Sequence, residues 1–439
     1  MKKKHVIVIS FDAVSKEDLD FLSKLPNFSK LIKEGALIKN VESIYPSLTY
    51  PAHATIVTGK YPKNHGIINN TVLDFNSYNP DWYWYRKYIY GDTIFDLAEK
   101  NGMKTCSILW PVTGRSKITY NMPEICCTKK YDNQAIKSAL AGSIFYQLSM
   151  NKRFGYLRRG IEQPYLDNFA MEVAKKTIRE LKPNLLLLHL VDVDSQKHKY
   201  GVKSQQTIEA LRRHDDRLGE IVEVLKVTGI YNDSTIIALG DHSQIDVSSV
   251  IRLNSILVEN NLIEVKNNKV KSYKAIAKSC DGSSYIYLNN KNDKDIINKL
   301  KEILNNLKNQ KDSPIEEIYS NDSISNLGAD RDAIFMVEAR EGYYFIDDLF
   351  GKTIEELSQD KSFKIKHKIM AAHGYLPTKD NYKTFFIASG KGIKSGIVLE
   401  NGKLINHGPT IAKILGIDLK DADGMAEEKI LDIQGEENE

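Results

Sequence analysis

The sequence predicts an α/β protein: a doubly wound, mostly parallel sheet flanked by helices, interrupted by an inserted α+β cap. Three observations carry this. Short apolar runs rich in β-branched residues alternate with segments of helical periodicity, the pattern of strand–helix–strand units. Acidic residues stand just past three of those runs, Asp12, Asp192/Asp194 and Asp241, at the sheet edge where open α/β proteins bind ligands. The texture then turns Lys/Asn/Asp-rich between about 251 and 365 before the sheet pattern returns. A chain of 439 residues has room for one large domain with an insertion, here 1–250 with 366–439 around 251–365. With 42% hydrophobic and 27% charged residues the composition is that of an ordinary globular protein. The net charge of +4, from 61 basic and 57 acidic residues, is too balanced to argue for a nucleic-acid or membrane surface.

The elements follow in order. The apolar run VIVIS after the basic start is five residues long, shorter than a secretion signal's apolar core of about 7–15. HVIVIS (5–10) reads instead as a buried parallel strand. A helix is expected over 17–35, stopped by Glu34-Gly35. Thr49-Tyr50-Pro51 opens the next helix, with Pro in a first turn where its missing N–H costs nothing. An aromatic segment (78–92) precedes a helix at 93–102 and a strand at 104–110. A helix over 165–181 is broken by Pro183, and NLLLLHLVD (184–192) is the most apolar strand. A helix at 204–227 leads to the strand STIIALG (234–240), which ends at Asp241-His242. Inside the insertion lie SSYIYLNN (283–290), a helix at 294–307 and AIFMVEA (333–339). TFFIASG (384–390) and a helix at 409–415 complete the sheet pattern, and the acidic tail from Glu427 is expected to fray.

Read singly, the polar residues are ordinary. Thr49 could be an N-cap, Asn70 a turn residue, Asp241 a strand-end cap, and His373 a structural histidine. His53 is a helix-face residue at most one shell removed from chemistry; His5, His189, His214, His367 and His407 receive no role. Asp194 and His198 are four apart and would share a helical face. Together these residues supply enough carboxylate and imidazole donors, without thiolate, for two divalent ions. Zn²⁺ suits such a set, and Mn²⁺ or Fe²⁺ is tolerated. Two such ions about 4 Å apart would stabilise entering and leaving oxygens at phosphorus. The four cysteines, Cys106, Cys126, Cys127 and Cys280, lack metal spacing and read as reduced thiols in a cytoplasmic protein.

The order Asp12, Thr49, Asp194-x-x-x-His198, Asp241-His242, His373 resembles the alkaline phosphatase superfamily, and within it the nucleotide pyrophosphatase/phosphodiesterase branch. YPSLTYPAHATIVTGKYPKNHGIINN is similar to that branch's nucleophile motif; DSQKHKYG, GDHS, AHGY and the GPTIAKILGI…DADG close also match. Only 251–365 carries no matching motif. The resemblance implies an alkaline phosphatase-like fold and a type I phosphodiesterase or nucleotide pyrophosphatase. It makes Thr49 both nucleophile and metal ligand. Asp194, His198 and His373 would hold one metal, and Asp12, Asp241 and His242 the other. Asn70 would contact a phosphoryl oxygen.

The implied reaction is hydrolysis of phosphodiester or pyrophosphate bonds, of nucleotides or related small phosphodiesters, through a phospho-threonine on Thr49. A phosphomonoesterase or phosphonate hydrolase is the alternative within the superfamily, and a non-catalytic binding protein the alternative outside it. Tyr50, Trp84 and Arg86 are candidate contacts to the leaving group, the aromatics as platforms and Arg86 as a charge. A small phosphorylated partner is expected, with no specific nucleic-acid binding and no membrane contact.

Overall fold

Successive residues of the strand His5–Phe11 enter two different cores. Val6 and Val8 pack with Ala54, Ile56 and Ile411, while Ile7, Ile9 and Phe11 pack with Phe28, Ala170 and Leu218. All seven residues are buried. A strand buried on both faces needs helices on both sides of its sheet. In the computed structural model, which describes residues 4–432 apart from 76, 78–79, 129–131 and 358–367, that strand lies inside an eight-stranded sheet. The order is Ile397–Lys403, Gly35–Glu42, Thr384–Gly390, Ser234–Leu239, His5–Phe11, Leu185–Leu190, Thr105–Ile108, Tyr120–Met122. Neighbours pair in parallel except Thr384–Gly390, which runs against both of its partners. The doubly wound α/β reading therefore holds, with one reversed strand.

Three local readings are corrected. The helix expected over 17–35 is two helices, Lys16–Leu22 and Pro26–Glu34. The first is closed by a Ser15/Asp18 capping box. Pro26 opens the second and holds Leu25 extended (φ −86°, ψ 150°), because the residue before a proline is excluded from helical geometry. Gly35 then starts a strand that the sequence reading lacks. A Cβ there would stand 2.1 Å from the Ala388 carbonyl oxygen, so only glycine lets the two strands approach. Between 123 and 164, where no element was expected, stand helices Gln134–Ala141 and Ile144–Phe154.

The inserted segment builds its own sheet, in the order Ala275–Cys280, Ser283–Leu288, Phe335–Ala339, Ile315–Ser320. The helix Lys294–Lys308 packs on it through Leu300, Ile303, Leu304 and Leu307. A further sheet forms around Ile245–Ile251, which pairs with Gly342–Phe345, Ile354–Glu356 and Ala371–Ala372. The core of this region also takes in Tyr45, Leu48, Tyr375 and Tyr382, so the insertion packs onto the chain beside Thr49 and His373. No helix among the described residues is long and apolar enough to cross a membrane. His367 and most of the acidic tail lie outside the described residues.

Candidate active site

Thr49 is the first residue of the helix Thr49–Thr58; the N-cap is Leu48, whose side chain caps nothing. The Thr49 hydroxyl is thus free of the capping duty the sequence allowed it, and it meets His242 Nε2 at 3.0 Å. Asn70 serves the helix end instead: its Oδ1 accepts from the Tyr50 N–H at 2.9 Å. This bond fixes the amide's orientation and leaves the Nδ2 hydrogens as its remaining donors. His53, one turn along, bonds the Thr49 carbonyl from Nδ1 (2.8 Å) and Ser10 Oγ from Nε2 (3.0 Å). The Thr49 backbone is thereby tied to the central strand.

Asp12 follows the strand His5–Phe11 and Asp241 follows the adjacent parallel strand Ser234–Leu239. Their register brings the two carboxylates to one end of the sheet. Asp12 Oδ1 lies 3.4 Å from His242 Nε2, and Asp241 Oδ2 lies 3.3 Å from the same nitrogen. Asp241 Oδ1 accepts from the Ala13 N–H. Asp12 Oδ2 faces His189 Nε2 at 2.9 Å, and His189 Nδ1 is 3.1 Å from the Leu109 carbonyl. His189, given no role from sequence, therefore orients Asp12. Asp12 Oδ1 and Asp241 Oδ2 are buried with no hydrogen-bond partner among the described residues.

The helix Asp192–Tyr200 carries Asp194 and His198 on one face, with Asp194 Oδ1 at 3.3 Å from His198 Nε2. His198 Nδ1 donates to the Ala371 carbonyl at 2.7 Å, which leaves Nε2 as the free donor atom. Gln244 Nε2 donates to Asp194. His373 lies against both other histidines, its ring 5.0 Å from His198 and 4.5 Å from His242. Its Nδ1 is 3.4 Å from Asp281 Oδ2, a residue of the insertion, and its carbonyl accepts from Gly282 N–H. Gly374 follows with φ +83°; a Cβ there would stand 1.7 Å from the Cys280 carbonyl oxygen.

The helix Asp192–Tyr200 is anchored from below. The fully buried Lys197 ammonium bonds the Ala13 carbonyl at 2.8 Å and Asp18 at 2.5 Å. Asp192 and the buried Asp167 share Arg217, and Asp192 also takes Arg213. Breaking one member of such a network leaves a buried charge unpaired, at a cost of about 3–5 kcal/mol.

The electrostatics are those of a cluster short of positive charge. Burial raises Asp12 well above the usual carboxylate range, and Asp241 and Asp194 add to it. Burial lifts Asp241 to about 7 against the pull of His189. Burial would lift Asp194 too, but His198, then His373 and His242, hold it below the usual range. Burial also works against a charge on His198, yet Asp194 overrides it and raises the imidazole to about 9. His242 is pushed down to about 4 by burial, and His373 well down by burial, His242 and His198.

A divalent cation fits this donor set. Bonds of about 2.0–2.1 Å in tetrahedral array put neighbouring donor atoms about 3.3 Å apart. Thr49 Oγ1, Asp12 Oδ1 and Asp241 Oδ2 surround His242 Nε2 at 3.0–3.4 Å, and Asp194–His198 repeats the spacing. Ligand atoms of Asp194, His198 and His373 lie within 4.8 Å of one another, as do those of Asp12, Asp194 and His242. Asp194 thus belongs to both groupings.

The expected leaving-group contacts are placed differently. Tyr50 is fully buried and Trp84 is 2% exposed, so neither offers a face to a ligand. Trp84 stacks on the half-buried Trp82 with centroids 5.5 Å apart. Arg86 is committed to Asp96 and to the carbonyls of Ile89 and Gly91. All three hold the segment together instead of facing a substrate.

A family model described as type I phosphodiesterase / nucleotide pyrophosphatase matches residues 6–387. Human ectonucleotide pyrophosphatase/phosphodiesterase family member 1 is 29% identical over 259 residues, 56% of this chain and 24% of the relative. The rat family member 3 is 30% identical over 249 residues, 54% of this chain and 24% of the relative. Venom phosphodiesterase CdcPDE of Crotalus durissus collilineatus is 29% identical over 237 residues, 52% and 24% respectively. The matched segment thus spans about a quarter of each relative's length. Among solved structures, an inactive variant of murine ectonucleotide pyrophosphatase/phosphodiesterase 5 in complex with AMP superposes with a TM-score of 0.67 at 17% identity, covering 98% of this chain and 100% of that one. At that identity the likeness establishes the shared fold. The chain belongs to the type I phosphodiesterase / nucleotide pyrophosphatase family, a branch of the alkaline phosphatase superfamily.

Proposed function

We propose that this chain hydrolyses phosphodiester or pyrophosphate bonds in nucleotides or related small phosphodiesters, with Thr49 as nucleophile. The observation that carries this reading is the placement of Thr49 Oγ1 at a helix N-terminus, 3.0 Å from His242 Nε2 and beside two buried, unpartnered carboxylate oxygens. Asp12, Asp241, His242 and Thr49 would hold one divalent ion, and Asp194, His198 and His373 a second. Zinc is the ion this nitrogen and oxygen set suits, with Mn²⁺ or Fe²⁺ tolerated. Bound there, the ions would favour ionisation of the Thr49 hydroxyl and neutralise charge on the phosphoryl group. The AMP complex of the murine relative supports a nucleotide as the substrate class.

The chain's own residues then act as follows. The Thr49 oxygen bonds to phosphorus as the leaving alcohol or phosphate departs on the opposite side. The helix end behind Thr49 favours the negative charge through its dipole. Asn70 Nδ2 donates to a non-bridging oxygen as charge grows there. Water then cleaves the phospho-threonine ester and restores the hydroxyl. Residues 1–250 and 366–439 form the catalytic body on this reading, and 251–365 the cap.

The test compares purified, zinc-loaded protein on a bis-nitrophenyl phosphodiester and on the nitrophenyl monoester. A diester preference of about tenfold or more in kcat/KM is expected. A smaller preference overturns the diesterase reading in favour of a monoesterase, and no turnover of either overturns the enzyme.

A further inference from the structure

Half of the large apolar side chains that stand exposed among the described residues fall between Ile136 and Ile161. The helices Gln134–Ala141 and Ile144–Phe154 are amphipathic in place. Tyr146 and Met150 turn inward, Tyr146 to a 2.7 Å bond with Thr177, and Gln147 reaches back to the Ser138 carbonyl to join the helices. Ile136, Leu140, Ile144, Phe145 and Leu148 remain in solvent, Phe145 at 88% exposure. The spacings 136/140, 144/148 and 145/148 put these residues on outward stripes. Exposed apolar stripes of this kind mark interaction surfaces.

The charge of the same segment selects the partner. From Asn133 to Ile161 there is no Asp or Glu, but there are Lys137, Lys152, Arg153, Arg158 and Arg159. Lys137 pairs with Asp81 and Asp132; Lys152 and Arg153 continue the apolar stripe in the last turn of the second helix, Arg153 within the field of Glu180, and Arg158 and Arg159 lie beyond it over the Phe169 and Tyr165 rings. The chain-wide balance of charge conceals this local excess. A second copy meeting this face across a two-fold axis would set the basic group against itself. An anionic surface is attracted instead, and each Lys or Arg near such a surface raises partitioning about fivefold.

We propose that the face formed by Gln134–Ala141 and Ile144–Phe154 docks on an anionic phospholipid bilayer, with Phe145 and Leu148 entering the interface and Lys152 and Arg153 held at the headgroups. This is interfacial binding by an amphipathic surface. It is independent of the catalytic reading.

The test is flotation of the full chain with vesicles of phosphatidylcholine containing phosphatidylglycerol, and with vesicles of phosphatidylcholine alone. Co-flotation with the anionic vesicles is expected, falling as salt is raised because screening weakens surface attraction. The F145E/L148E and K152E/R153E variants should each lower vesicle partitioning by about tenfold or more while melting at the wild-type temperature. Failure to float with anionic vesicles overturns the proposal. So does equal flotation of F145E/L148E, or light scattering showing a dimer that F145E/L148E converts to monomer with no vesicle binding by the parent.

Discussion

The two halves of the candidate metal cluster are built in different ways. Asp12 and Asp241 end neighbouring strands of one sheet, whose parallel register pairs Ser10 with Leu239 and so sets the two carboxylates side by side. That half inherits its geometry from backbone hydrogen bonds. The other half is assembled from a helix carrying Asp194 and His198, a loop carrying His373, and outer contacts from Ala371, Gln244 and Asp281. Its members come from remote parts of the chain, and one of its supports belongs to the insertion. The difference teaches that a cluster of candidate metal ligands need not be supported alike on both sides: one side rests on the sheet, the other in part on the insertion.

The largest expected effect treats both halves alike. Thr49→Ala should lower turnover by about 10⁴-fold or more, as loss of a nucleophile does, while metal analysis still finds both ions; substantial residual turnover removes Thr49 from its role. Asp281→Asn should separate the halves. Loss of an outer carboxylate from a ligating histidine costs about 10–100-fold in metal affinity, so zinc titration should show one weakened site and one unchanged. Equal weakening of both would break the comparison. Chelation should sharpen it: amide exchange around Ala371–Tyr375 should rise more than at His5–Phe11, where the strand ladder persists without metal.

The smallest effect concerns Glu338 of the insertion. It accepts from Tyr45 Oη at 2.8 Å and from Leu376 N–H at 2.9 Å, and burial raises it from 4.5 to about 8. The folded state therefore holds the proton more tightly than the unfolded chain. The stability this brings is complete below pH 4.5 and is lost as pH rises to about 8. In Glu338→Gln, melting temperature should fall less across that window than in the parent; an unchanged slope would show that Glu338 does not lose a proton across it.

The sheet was legible because buried parallel strands advertise themselves as short apolar runs, and the polar residues just past those runs, Asp12 and Asp241 among them, stood out as a candidate cluster only when read together. The supports were not. His189 lies within the apolar strand Leu185–Leu190, and nothing in its sequence context separates a ligand-orienting histidine from a packed one. Asp281 sits in a Lys/Asn/Asp-rich stretch where one more acid carries no signal. The packing of Tyr50 and Trp84 was illegible for a different reason: an aromatic beside Thr49 reads equally as a platform or as packing, and their burial shows only in the structure. Net charge is silent on local patches, since the acid-free segment from Asn133 to Ile161 vanishes in a chain-wide sum.

Gly374 ties two remote parts of the chain together. Its N–H is bonded to the Ser47 carbonyl, and its own carbonyl accepts from Ser283 Oγ at 2.6 Å. The glycine is held between the loop preceding Thr49 and the insertion, with the Cys280 backbone where a side chain would be. The surroundings of His373 are therefore completed by backbone contacts from the insertion. On the reading proposed above, a chimera that exchanges the insertion should weaken binding of the ion placed at His373.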